Sequence, residues 1–318
     1  KISQNCLDYN IPAVAIVDNN NLFGALEFCE HMSHKGIQPI IGCNLNIKKE
    51  KHRGSLVLLC TRREGYKNLI RLSSEIYIND YGEEIIDFSR ILELNDGLIC
   101  LSGGQNGLIN NLLVNNQKKD VLKIIDKINN TFRDRFYIEL QRTGFDNVEE
   151  DLLKIAYEND IPLVATNTSY FNQREEYEAH DALLCINQST TVDAEDRFRL
   201  TPDFCFKTPQ EMIDLFSDIP EAIENTLEIA LRCSYKVATA EPRLPRFSGL
   251  DLEGEALEFE EQAKNGLKER LKIFKVDDEK KYWDRLNSEV NIIIEMGFPG
   301  YFLIVADFIK WSKKNNIP

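Results

Sequence analysis

Short β-branched runs alternate with helical patterns through the first three-quarters of the chain. Residues 14–17 read as a strand, followed by a helix over about 23–35 that Gly36 closes, and then by strand-like runs at 39–47 and 56–60. The alternation continues with a helix at 65–78, a strand at 98–102, a helical pair within 106–130, a strand at 136–140, a helix at 148–159 and a strand at 163–165. Strands separated by helical patterns of roughly 10–15 residues predict βαβ units and a mainly parallel sheet, either open or closed into a barrel. From residue 175 the strands stop, and residues 175–186, 209–216 and 220–233 read as successive helices.

Two prolines and a glycine within residues 242–249 cannot continue a helix, and this stretch is the expected boundary between residues 1–245 and 246–318. Beyond it, residues 253–275 and 279–296 read as helices leading into a terminal one. In that last helix Phe302, Leu303, Ile304, Val305, Phe308, Ile309 and Trp311 leave almost no polar face, a pattern that predicts a helix buried on all sides. Such a helix needs neighbours that the chain barely supplies. At the other end Ile2, Cys6 and Leu7 recur at helical spacing, where an α/β domain would first place a strand. Truncation at both ends is the expectation.

Composition narrows the class. With 318 residues and 43% apolar content, the chain can bury one large α/β domain and a smaller appendage. No signal peptide, apolar run of membrane-spanning length or low-complexity tract is evident, which predicts a cytoplasmic protein that does not engage a membrane. The net charge of −14 argues against a stretch that grips DNA by itself, because nucleic-acid affinity comes largely from Lys and Arg. Eight cysteines without a C-x-x-C pair, some within strand-like runs, read as buried free thiols rather than a disulfide framework or a zinc ribbon.

The segment Met296-Gly-Phe-Pro-Gly-Tyr-Phe-Leu-Ile-Val-Ala-Asp-Phe-Ile-Lys-Trp311 resembles the opening of the polymerase core in the bacterial C-family replicative polymerases, the alpha subunits of DNA polymerase III. Residues 11–28, 36–42, 98–104, 137–144 and 162–167 resemble, in the same order, the amino-terminal PHP (polymerase and histidinol phosphatase) domain of those subunits. The resemblance implies an α/β fold: a PHP-type distorted β/α barrel, incomplete at its N-terminus, followed by a helical segment leading into the polymerase palm. It implies DNA-directed DNA synthesis by a full-length parent that uses Mg. Its catalytic aspartates would lie beyond Pro318, and its DNA contacts in missing downstream domains. It also implies docking of a proofreading exonuclease and other replicase subunits, with this stretch as a non-catalytic scaffold.

Active PHP domains hold a metal cluster on His, Asp and Glu at the strand ends, where it activates water against a phosphate ester. By the resemblance, the first His-x-His would precede Lys1, and Asp18 keeps a carboxylate while Asn19 stands in place of an imidazole. Asn44, Ser55, Thr168 and Tyr170 occupy the other ligand positions. Amide, hydroxyl and phenol groups cannot balance clustered divalent charge, so these are degenerate remnant positions, and the expectation is no catalytic, cofactor-binding or metal residues in this chain. A weaker metal reading places Glu27, His31 and His34 on one helix face, and His180 reads as structural. The turn Ser102-Gly-Gly-Gln-Asn-Gly107 lacks a P-loop lysine and reads as a strand-to-helix turn rather than a phosphate cradle. Two rival functions remain at this level: a metal-dependent PHP phosphoesterase or pyrophosphatase, and a stand-alone interaction module.

Overall fold

The computed structural model describes residues 1–78, 82–145, 148–240 and 244–317. The chain divides into two compact units, Lys1–Thr239 and Ala240–Pro318. Pro242 and Arg243, which open the expected boundary segment, lie outside the described residues, as does Pro318.

In the first unit the elements run α1 (Ile2–Asp8), β1 (Ala13–Asn19), α2 (Ala25–His34), β2 (Gln38–Lys49), β3 (His52–Cys60), α3 (Arg63–Ile78), β4 (Ile86–Asp87), α4 (Phe88–Glu93) and β5 (Leu98–Leu101). They continue through α5 (Leu108–Val114), α6 (Lys118–Phe132), β6 (Phe136–Leu140), α7 (Glu149–Glu158), β7 (Leu163–Ala165), α8 (Tyr177–Asn187), α9 (Pro209–Leu215) and α10 (Pro220–Arg232). The strands form one sheet in the order β1-β2-β3-β5-β6-β7, with β4 added beside β2. It is a curled half-barrel with helices. Most neighbours are parallel, as the βαβ rhythm predicts, but β2-β3 and β3-β5 are antiparallel. The reversal comes from a two-residue hairpin loop between Lys49 and His52, with Glu50 at a left-handed φ of 56°.

Alternation of side chains across the strands creates two cores. The outer face contributes Ile41, Cys43, Leu45, Leu58, Cys100 and Ile138, which pack against the apolar stripes of the surrounding helices, including Cys29, Leu69, Ile124 and Leu152. The inner face contributes Ile40, Val57, Leu59, Ile99, Tyr137 and Val164, and α10 closes over them with Ile229 and Cys233. Gln38 anchors this plug by donating from Nε2 to the carbonyl of Ala230 at 2.6 Å. All eight cysteines are buried and unpaired, as the strand-like runs around Cys60 and Cys100 implied.

The second unit holds α11 (Leu252–Ile273), α12 (Glu279–Glu295) and α13 (Pro299–Lys314), with α13 turned through 117° from α12. Asp251 and Asp278 cap α11 and α12 by accepting from Gly254 N and Lys280 N. At the centre Glu255 accepts from Phe247 N at 2.7 Å and from Arg246 Nη1 at 3.1 Å. Its carboxylate lies so close to the start of α13 that a Cβ on residue 300 would fall 2.6 Å from Glu255 Oε1 and displace it. The chain's own neighbours cover only part of the last helix: α13 buries Pro299, Gly300 and Leu303 but leaves Phe308 65% and Trp311 59% exposed. Among the described residues no single helix is long and apolar enough to cross a membrane.

Candidate functional site at the mouth of the half-barrel

Residues paired across a sheet share a face, so the register identifies what points into the curl. Asn19 pairs with Asn44, and Val17 with Gly42. Asn44 pairs with Val57 and Asn46 with Ser55, while Val57 meets Leu101, Leu101 meets Tyr137 and Glu139 meets Val164. The inner face therefore runs from an apolar floor at Ile40, Leu59, Ile99 and Tyr137 up to a polar mouth. Asn19, Asn44, Ser55 and Glu139 stand at that mouth, and Gln141, Thr166 and Thr168 join it through their hydrogen bonds to Glu139 and to one another.

Every side chain there makes at least one contact within the protein, although the buried Asn44 Oδ1 is left without a hydrogen-bond donor. Asn44 Nδ2 donates to Asn19 Oδ1 at 2.8 Å, and Ser55 Oγ donates to the carbonyl of Asn106 at 3.2 Å. Gln141 Nε2 donates to Glu139 Oε1 at 2.9 Å and to Thr168 Oγ1 at 3.2 Å. The Thr166 hydroxyl donates to Glu139 Oε1, and Gly103 N donates to Oε2 at 3.1 Å. Glu139 is only 4% exposed. Burial pushes its carboxyl above the usual range, while Thr166, Gln141 and the N–H groups of Gly103 and Gly104 pull the other way.

Asp18 does not belong to this ring. It pairs with Cys43, whose side chain lies in the outer core, so its carboxylate turns away from the curl. Asp18 Oδ2 lies 3.6 Å from the position a Cβ would take on Gly24, at the N-terminus of α2, where a negative charge complements the helix dipole. Burial and the neighbouring Asp18 carboxylate together push the Cys43 thiol up to about 12.

The donor set at the mouth therefore does not fit a metal cluster. Its amides and hydroxyls carry no charge, and its one carboxyl is engaged by internal donors. Among the described residues no group of three or more His, Cys, Asp or Glu is arranged to hold a metal ion.

Comparison with known proteins supplies the lineage. Residues 1–143 match the PHP domain, and residues 257–318 match the bacterial DNA polymerase III alpha NTPase domain. The DNA polymerase III subunit alpha of Caulobacter vibrioides is 41% identical over 332 aligned positions, covering 100% of this chain and 29% of the relative. Those of Pseudomonas aeruginosa and Escherichia coli are each 38% identical, covering 97% of this chain and 28% of the relative in both cases. The chain belongs to the DNA polymerase III alpha family. It spans less than a third of the length of these relatives.

The remaining candidates take structural places. Thr168 is held by Gln141, whereas Tyr170 is half exposed and stacks on His180 with ring centroids 5.6 Å apart. His180 sits in turn against Phe171 at 5.4 Å. His31 Nε2 is 2.8 Å from Ser3 Oγ, a contact between α2 and α1 that engages one of its two ring nitrogens. Beyond β7, Asn167 donates to the carbonyl of Cys205 at 2.7 Å and accepts from the buried Lys207 ammonium at 2.8 Å. Burial lowers the pKa of Lys207. Glu139, Gln141 and Lys207 were not singled out as candidates from sequence. A lone carboxylate in the apolar run 136–140 was the available signal for the first of them.

Proposed function

We propose that this chain is the barrel-and-linker portion of a bacterial replicative polymerase alpha subunit, and that it serves as a non-catalytic scaffold. The observation that carries the reading is the neutral mouth, in which Asn19, Asn44, Ser55, Gln141, Thr166 and Thr168 stand with a single carboxyl, Glu139, that internal donors engage. A site of that chemistry neither lowers the pKa of a water nor neutralises a phosphate ester. DNA-directed DNA synthesis then belongs to parts of an alpha subunit outside these 318 residues, together with the aspartates that hold Mg and the surfaces that meet DNA.

Support for the scaffold role comes from the helical unit. Leu257, Ile273, Phe274, Met296, Phe308 and Trp311 are exposed apolar side chains on α11 to α13 or their flanks, surface that a neighbour would stabilise by covering. On this reading they seat the polymerase core, the barrel unit meets the proofreading exonuclease and other replicase subunits, and the assembly works in the cytoplasm. Hydrolysis of p-nitrophenyl phosphate and of deoxynucleoside triphosphates by the purified chain, with Zn, Mn or Mg supplied, tests the proposal. No turnover above the buffer rate is expected. Metal-dependent turnover that disappears on Glu139→Gln would establish a phosphoesterase instead.

A further inference from the structure

The glycine-rich turn after β5 has the geometry of an anion receptor. Gly103 and Gly104 sit at φ +92° and +57°, left-handed backbone that glycine adopts readily, and the N–H groups of both reach the Glu139 carboxyl. No side chain fits at either position: a Cβ on residue 103 would lie 2.4 Å from the carbonyl oxygen of Ser55, and one on residue 104 would lie 2.6 Å from Gln141. At the focus lies a buried oxygen of Glu139, 3.1 Å from Gly103 N. Gln141 and Thr166 complete the enclosure with side-chain donors from β6 and the end of β7.

We propose that the Ser102–Gly107 turn is an anion cradle whose resident ligand is the chain's own Glu139 carboxyl, an internal occupant that shuts out phosphate and external carboxylates. The occupant also acts as a strut. Through Gly103, Gln141 and Thr166 it ties the turn after β5, the end of β6 and the segment after β7 into one unit at the mouth. The neighbouring Ser102 strengthens the tie, because its buried Oγ accepts from Glu139 N at 2.9 Å.

Chemical rescue tests this directly. Glu139→Ala removes the occupant and leaves the receptor, so its melting temperature falls by roughly 5–10 °C. Formate at about 100 mM, a carboxylate small enough to enter, then restores at least half of that loss, whereas equal chloride does not, and the unmodified chain responds alike to both salts. Formate acting no better than chloride on Glu139→Ala, or raising both proteins equally, would overturn the cradle.

Should Glu139→Ala not fold, a double-mutant cycle with near-isosteric changes decides. Thr166→Val lowers the melting temperature in the unmodified chain and changes it by less than half as much in Glu139→Gln, because the donor has then lost its carboxyl acceptor. Equal losses in the two backgrounds would show that Thr166 and Glu139 are not coupled.

Discussion

The barrel unit and the helical unit handle the same problem in opposite ways. In the barrel, apolar side chains fill two continuous cores and polar side chains at the mouth find partners within the fold. In the helical unit one carboxylate, Glu255, is buried at the centre, and large apolar side chains such as Phe308 and Trp311 remain on the surface. A unit that closes its own interior holds itself together. One that leaves aromatic residues exposed has hydrophobic energy still to gain from a neighbour.

Truncating a core residue in each unit should give the largest contrast. Phe132→Ala, in the fully buried outer core, is expected to cost about 3–5 kcal/mol in urea unfolding, and Phe308→Ala less than about 0.5 kcal/mol. Comparable losses would mean that α13 is as well packed as the barrel. Glu255→Ala comes next, at about 1–3 kcal/mol, because it leaves Phe247 N without its acceptor and Arg246 without its partner. The loss should be confined to the helical unit when hydrogen exchange is followed segment by segment, and a loss spread evenly over β2 and β3 would blur the contrast.

The pH response sharpens it further. Burial raises the folded-state pKa of Glu139 above its unfolded value, so the folded chain holds that proton the more tightly. The corresponding stabilisation is complete below the unfolded value and is lost as pH rises through the folded-state value. The melting temperature of the unmodified chain, relative to Glu139→Gln, should therefore fall as the pH is raised from about 4.5. A difference that stays flat or grows with pH would show that the carboxyl is not desolvated as the structure has it. The smallest effect belongs to Tyr170→Phe, whose ring packing on His180 is retained, with stability within about 0.5 kcal/mol of the parent by thermal melts. A larger loss would assign the phenol a partner.

The same contrast marks what was legible in the sequence. The order of strands and helices was readable because long periodic runs such as 39–47 and 136–140 announce themselves, and β6 and β7 fall on the expected residues. The short β4-α4 segment was not, since a two-residue strand has no period to detect. Asp18 and Asn19 are neighbours in a motif but opposite in space, because the period of a strand sends one to the helix layer and the other to the curl. The Glu139 hub was hidden for a different reason: its donors come from residues 103, 141 and 166, which only the register brings together. In α13 the all-apolar pattern calls for neighbours on every side, and its own unit covers only the face that carries Pro299, Gly300 and Leu303.

The central claim is that the mouth of the half-barrel is sealed by its own neutral groups and holds no metal cluster. Metal content of the purified chain, measured by inductively coupled plasma mass spectrometry after equilibration with Zn, Mn and Mg and removal of free ion, tests it most directly. Well under one ion per chain is predicted, unchanged in Glu139→Gln. Two or more ions per chain, lost in Glu139→Gln, would contradict it.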